Sequence, residues 1–172
     1  MKKAFKICLL FLVLLLIAPQ MNAQKKFRKY LITGSAMFVS GMLDGTIETI
    51  QWHYDQGFKP KFPNANQQFW NPALSWKNKY KGNDPAMGPK FYGSTTAFAF
   101  TTDAYHLLRT VNRAINTVAI AGYANSTYKS KQTKREKLKT VITDFLILTA
   151  IRSAGFTLTY GVMFKVDPGY GR

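Results

Sequence analysis

Residues 140–164 read TVITDFLILTAIRSAGFTLTYGVMF, a 25-residue run with only two charged side chains, Asp144 and Arg152. A helix over this run exceeds the roughly 20 residues that cross the hydrocarbon of a bilayer, and few of its positions suit contact with water. Its last part, with Val166 added, reads FTLTYGVMFKV and carries strand-like residues in partial alternation. A transmembrane barrel needs many such segments, and the chain offers one or two. The run is therefore expected to be a helix, and a membrane-embedded one.

Two further stretches share its character. Leu31–Tyr54, LITGSAMFVSGMLDGTIETIQWHY, sets Gly34, Ser35, Ala36, Ser40, Gly41 and Gly45 among its apolar residues, which suits a closely packed helix. Phe91–Arg113, FYGSTTAFAFTTDAYHLLRTVNR, opens a middle helix, expected to start at a Ser94 or Thr95 cap behind Gly93 and to end near Ala121. The expected fold is all-α: a small bundle of three long helices at about 30–54, 94–121 and 140–164, with the middle one central. At 172 residues the chain suits one domain. Residues 24–172 are expected to form it.

Residues 55–93 join the first two helices and contain five of the seven prolines. They read as a lid of short turns. Its aromatic residues, Trp70 and Trp76 among them, alternate with lysines such as Lys77. Interleaved rings and ammonium groups suit a single-stranded nucleic acid or a membrane interface. The N-terminus favours the membrane, since MKKAFKICLLFLVLLLIAPQMNAQ has the basic start, apolar run and polar exit of an export signal. Residues 1–23 are expected to be a signal peptide cleaved after Ala23, with a retained anchor helix as the alternative. Cys8, the only cysteine, falls inside that segment, so disulfides and thiolate chemistry are not expected in the remainder.

The formal charge is +16, or about +13 without Lys2, Lys3 and Lys6 of the export segment. Anionic lipid is the expected partner, with a protein of the envelope as a second and nucleic acid excluded by compartment. The KKFRK collar before α-helical Leu31–Tyr54 and the KSKQTKREK turn fall on one side of such a bundle, and the lid and the tail KVDPGYGR on the other. Basic residues nearly balance and do not set the orientation. A bundle resting on the periplasmic membrane surface is the alternative to an integral one.

Asp103, His106, Thr110 and Arg113 share one side of the middle helix. Buried ionisable groups are costly unless paired or bound to something. Asp103 and His106 are the candidate catalytic pair, a carboxylate orienting an imidazole base. Arg109, Arg113 and Arg152 are candidate phosphate clamps, and Trp70, Trp76 and Lys77 candidate ligand contacts in the lid. Asp44, Glu48, Asp103, His106 and Asp144 form the candidate set for a divalent metal, because Asp-x-x-His spacing resembles the ligands of bundle metal sites. The competing reading has the acids and arginines neutralise one another across helices and fix their register. His53, at the lid edge, reads as a surface or interface residue.

GSTTAFAF, residues 93–100, resembles the P-S-G-H segment of the phosphatidic acid phosphatase family. The likeness covers fewer than ten residues, puts Thr95 or Thr96 where the family has histidine, and comes without its other motifs, so it assigns no family. Gly-rich phosphate loops, His-rich boxes, cysteine clusters and nucleophile elbows are missing from the sequence. Nucleotide cofactors, haem and iron–sulfur clusters are not expected. The function expected is that of an exported membrane or membrane-surface protein that binds an anionic lipid or amphiphile or supports an envelope assembly. The alternative is a lipid-modifying or metal-dependent hydrolase.

Overall fold

Helical periodicity in the three apolar stretches is realised as three long helices in the computed structural model, which describes residues 23–128 and 130–165. Residues 1–22 of the expected signal segment, Cys8 among them, and all of the tail beyond Lys165 lie outside the described residues. Helix α1 is Ala23–Trp52, α2 is Ala104–Tyr128 and α3 is Lys134–Phe156. Beyond Phe156 the chain continues in π-helical turns over Thr157–Met163. The all-α expectation of three helices and a lid holds, with corrected boundaries.

The middle helix begins ten residues later than expected. Gly93 has a φ of +79°, which no helix accommodates, and the chain runs through turns until Asp103. There the Asp103 carboxylate accepts from the His106 backbone N–H at 2.8 Å, an N-cap that the sequence had placed at Ser94 or Thr95. Ser94 is buried instead, its hydroxyl donating to the Lys79 carbonyl at 2.7 Å and so tying the lid to the approach of α2. Helix α3 begins six residues early, because Thr133 and Glu136 form a reciprocal capping box ahead of the apolar run.

The three helices run up, down and up, and α1 is the central one. It packs along both α2 and α3, which meet each other far less, so the expected central place of the middle helix is corrected. Small residues explain this. A Cβ on Gly41 would lie 1.9 Å from the Arg152 carbonyl oxygen, and one on Gly155 would lie 2.1 Å from the Phe38 carbonyl oxygen. Backbones of α1 and α3 touch directly at this crossing. One turn on, the space a Gly45 Cβ would fill holds Thr159 Oγ1, which donates to the Met42 carbonyl at 3.1 Å. The Thr159 hydroxyl also reaches the Gly155 and Phe156 carbonyls, where the helix has widened into its π-type turns.

The lid is built from single helical turns. Asn66, Asn71 and Asp84 each accept from the backbone N–H two residues on, and Pro72 and Pro85 follow two of these caps. Asn78 joins the pieces, donating to the carbonyls of Gln68 at 2.6 Å and Thr102 at 3.0 Å. Beneath the lid lies the apolar core, formed by Ile50, Tyr54, Phe58, Ala104 and Phe164. Tyr54 Oη is buried there without a hydrogen-bond partner among the described residues.

The opposite half of the bundle is arranged the other way round. Its buried positions include Thr33, Ser40, Asn112 and Asp144, while Ile32, Val118, Ile120, Phe145 and Leu146 are exposed. The helical run Lys134–Met163 is long and apolar enough to cross a membrane, yet only 11% of its most apolar stretch is buried inside the protein.

Two expectations follow. Gly41→Ala and Gly155→Ala should each lower stability by about 1–3 kcal/mol or more, the range for overpacking, whereas Gly122→Ala, with nothing within 4 Å of the new Cβ, should be neutral or stabilising. Thermal unfolding reads both, and equal behaviour of the three variants would contradict the close crossing. Tyr54→Phe removes an unsatisfied buried hydroxyl and should be neutral or stabilising by up to about 1 kcal/mol; clear destabilisation in the same assay would mean that the hydroxyl has a partner.

Candidate functional site

Helix α2 enters the bundle at its Asp103 cap, and that cap fixes the first polar cluster. Asp103 is 1% exposed and faces His106 Nδ1 from both carboxylate oxygens, at 2.9 and 2.8 Å. Thr102 Oγ1 donates to Asp103 Oδ2 at 3.2 Å. With Nδ1–H directed at the carboxylate, the Nε2 of half-exposed His106 is left as an acceptor. This is the geometry of an oriented base. Among the described residues no hydroxyl or other nucleophile is hydrogen-bonded to His106, and its ring neighbour is Tyr105, edge-on at 5.4 Å. Arg109 lies over the Tyr105 ring at 5.0 Å, and Arg113 is exposed one turn further along.

The second cluster crosses all three helices. Asp44 of α1 accepts from Asn112 Nδ2 of α2 at 2.6 Å and pairs with the Arg152 guanidinium of α3. Asn112 Oδ1 in turn accepts from Ser40 Oγ at 2.7 Å and Asn116 Nδ2 at 3.2 Å. Nearer the far end, Asp144 of α3 accepts from Tyr30 of α1 and, at 2.6 Å, from Tyr123 of α2. Each acid therefore joins three helices, accepting on one carboxylate oxygen from one neighbouring helix and on the other oxygen from the second. Glu48 lines, with Asp44, Arg152 and Tyr160, an open polar cleft of about 660 Å3. His53, half-buried, is held by Tyr160 Oη at 2.9 Å across the end of α1.

The five candidate metal ligands do not assemble: Asp103 and His106 stand together, Asp44 and Glu48 share the polar cleft, and Asp144 is bound to tyrosines. No three His, Cys, Asp or Glu side chains among the described residues form a group that could hold a metal ion. Of the charges expected to neutralise one another, Asp44 and Arg152 pair across helices, while Arg109 and Arg113 face outward.

Between the lid and α1 lies a groove of about 740 Å3, within the size range of ligand pockets, roughly 300–1,000 Å3. Met42 and Leu43 of α1, Met163 beyond α3, and Phe58, Phe62 and Trp70 of the lid wall it. Phe58 stacks on Trp70 at 5.0 Å and leans on Phe62 at 4.9 Å, so the aromatic wall is mutually supported. Lys61 is the one charged side chain in the lining and has no acid partner among the described residues. Trp70 is thus in the groove, whereas Trp76 and Lys77 lie on the outer surface of the lid, the ammonium 5.6 Å from the ring centroid. Burial, and after it the Asp55 carboxylate, raise the Tyr54 phenol above its ordinary value of 10.0. It stays neutral behind this wall at any ordinary pH.

Sequence reading missed Asn112, Tyr30 and Tyr123 as seam residues and Lys61 and Phe164 at the groove. Asn112 was within reach, since it falls with Asn116, Ala119 and Tyr123 on one face of α2. Tyr123 shares that signal, whereas Tyr30 of α1 carried none.

A double-mutant cycle tests the seam. Asp44→Asn and Arg152→Gln should couple by about 1 kcal/mol, because both groups are partly exposed and an exposed pair contributes little. Strict additivity of the two variants in thermal unfolding would remove the pair from the account of the fold.

No protein-family model, no curated protein and no solved structure matches this chain.

Proposed function

We propose that the chain is an exported, membrane-embedded helical protein of the cell envelope that binds anionic lipid. One observation carries this reading: in the half of the bundle away from the lid, most buried positions are polar while many large apolar side chains are exposed. Arg152, Thr149 and Ser153 along the Asp44 cleft are exposed polar exceptions. In water the burial of Thr33, Ser40, Asn112 and Asp144 beside exposed Val118 (73%), Phe145 (67%) and Ile32 (67%) wastes the hydrophobic effect. In hydrocarbon the same arrangement is favourable, since lipid solvates the apolar face and every interior polar group needs a partner.

Distances agree with this placement. From Leu138 to Phe156 α3 rises about 27 Å at 1.5 Å per residue, and the π-helical turns to Met163 carry the run past a hydrocarbon core of about 30 Å. Lys131, Lys134, Arg135, Lys137 and Lys139 lie exposed or half-buried at one end of this band. At the other end stand the lid lysines and, within the first three turns of α2, Arg109 and Arg113, whose long side chains reach headgroups. The conventional core under the lid belongs to a part that meets water. The export assignment rests on the N-terminal sequence alone.

The hydrolase alternative has one supporting observation, the Asp103–His106 pair. The described residues offer it neither a nucleophile at His106 nor a metal group.

Membrane embedding is tested by alkaline carbonate extraction of cells expressing the full chain. The protein should stay with the membrane pellet, and replacing both Phe145 and Leu146 with Lys should release it or abolish its accumulation. Recovery of the unmodified chain as a soluble monomer without detergent would sink the proposal.

A further inference from the structure

The groove under the lid is not isolated from the lipid-facing band. Val39, 42% exposed on α1 and two helical turns beyond exposed Ile32 on the same face, also lines the groove. Met163, 44% exposed, closes the other side at the end of the π-helical turns. Exposed apolar side chains of α1 and of the turns after α3 thus form part of the groove's own lining. Lys61 waits at its mouth, in a lid that already carries Lys59, Lys77, Lys79, Lys81 and Lys90. Of these, Lys59 pairs with Asp55 at 3.4 Å, so Lys61 is the ammonium left for a ligand at this spot.

We propose that the groove holds one acyl chain of an anionic phospholipid drawn from the surrounding bilayer, with the lipid phosphate at Lys61. Continuity with the band selects a bilayer lipid as the occupant, and the unpaired ammonium selects an anionic headgroup. Phe58, Phe62 and Trp70 form a rigid wall against which a chain packs without ordering flexible side chains, which keeps the entropic cost of binding low. Thr159, fixed to the Met42 carbonyl, holds the π-helical turns that place Met163 and Phe164 at the opposite wall. This assignment rests on the membrane-embedded reading, and deepens it by naming the site and the lipid class.

Trp70 reports on the groove directly. The chain has three tryptophans, and the exposed Trp52 and Trp76 can be changed to Phe, leaving Trp70 alone. The full-length single-tryptophan protein is reconstituted in vesicles containing phosphatidylglycerol or phosphatidylcholine with brominated acyl chains, and quenching is followed against the mole fraction of brominated lipid. Brominated phosphatidylglycerol should quench Trp70 at about a fifth of the mole fraction that phosphatidylcholine needs, the advantage of one lysine at an anionic headgroup. Lys61→Glu should erase that preference, and Thr46→Phe, which fills the groove from α1, should remove quenching by both lipids. Lys61 is exposed, so its variant should fold, as co-flotation with vesicles and an unchanged melting temperature would verify. Equal quenching by the two lipids, an unchanged preference in Lys61→Glu, or stronger competition by free oleate than by phosphatidylglycerol would each overturn the assignment. Failure of the protein to float with vesicles would overturn the membrane reading with it, whereas flotation without lipid preference at Trp70 overturns the groove assignment alone.

Discussion

Backbone-to-backbone contact between α1 and α3 is the constraint on which the other features depend. Gly41 and Gly155 leave no room for a side chain at the crossing, so the two helices have one relative height and one facing. That height brings Tyr30 level with Asp144 and puts Asp44 within reach of Arg152. It also seats the Thr159 hydroxyl against the Met42 carbonyl. A helix pair separated by ordinary side chains could slide by a turn and trade these partners for others. Here a slide meets carbonyl oxygens within 2 Å or so of any new contact, a steric penalty set by the excluded volume of the backbone.

Given that register, the polar side chains act as determinants of geometry. Buried Asp144 and partly exposed Asp44 are each bound from both other helices, which fixes their carboxylates in place and leaves them in separate parts of the bundle, with no third His, Cys, Asp or Glu beside them among the described residues. Asp103 differs because its partners are local: the start of its own helix and the imidazole one turn away. It sets the start of α2 and at the same time orients His106. Capping is sufficient reason for a buried aspartate at that position, so the dyad geometry follows from helix termination without a demand from chemistry.

Helix count, the lid and the presence of an acid–polar seam were legible in the sequence because each rests on a local pattern. Apolar runs of about 25 residues, proline density between 55 and 93, and small residues in Leu31–Tyr54 all survive without knowledge of the partner. Helix starts were less legible: Ser94 and Asp103 are both good caps, and only the positive φ at Gly93 with the burial of Ser94 under Lys79 decides between them. The central place of α1 was hidden for a similar reason. Glycines on one helix signal close packing, but which helix they receive depends on Gly155, whose matching role is a three-dimensional fact. Grouping Asp44, Glu48, Asp103, His106 and Asp144 as one set assumed a common level in the bundle. Asp103 sits at the first turn of α2 and Asp144 is bonded to Tyr123 near its last, so some 30 Å of helix separates them at 1.5 Å per residue.

On the proposed membrane-embedded reading, two solvents would account for the two kinds of interior in one small protein. Under the lid, Ile50, Tyr54, Phe58, Ala104 and Phe164 make a core of the sort water enforces, since burial there removes apolar area from an aqueous surface. In the band, burying Phe145 or Leu146 would bring no such gain if lipid already solvates them, and cohesion has to come from close packing and interior hydrogen bonds instead. On that reading the crossing glycines and the buried Ser40–Asn112 hydrogen bond supply this second kind of cohesion, while the Asp44–Arg152 pair opens to the polar cleft. The groove lies where the two regimes meet: its walls belong to the aqueous-type core on one side and to the band on the other. A groove of that kind, apolar along its length with Lys61 in its lining, can bury an acyl chain and leave the charged end beside the ammonium.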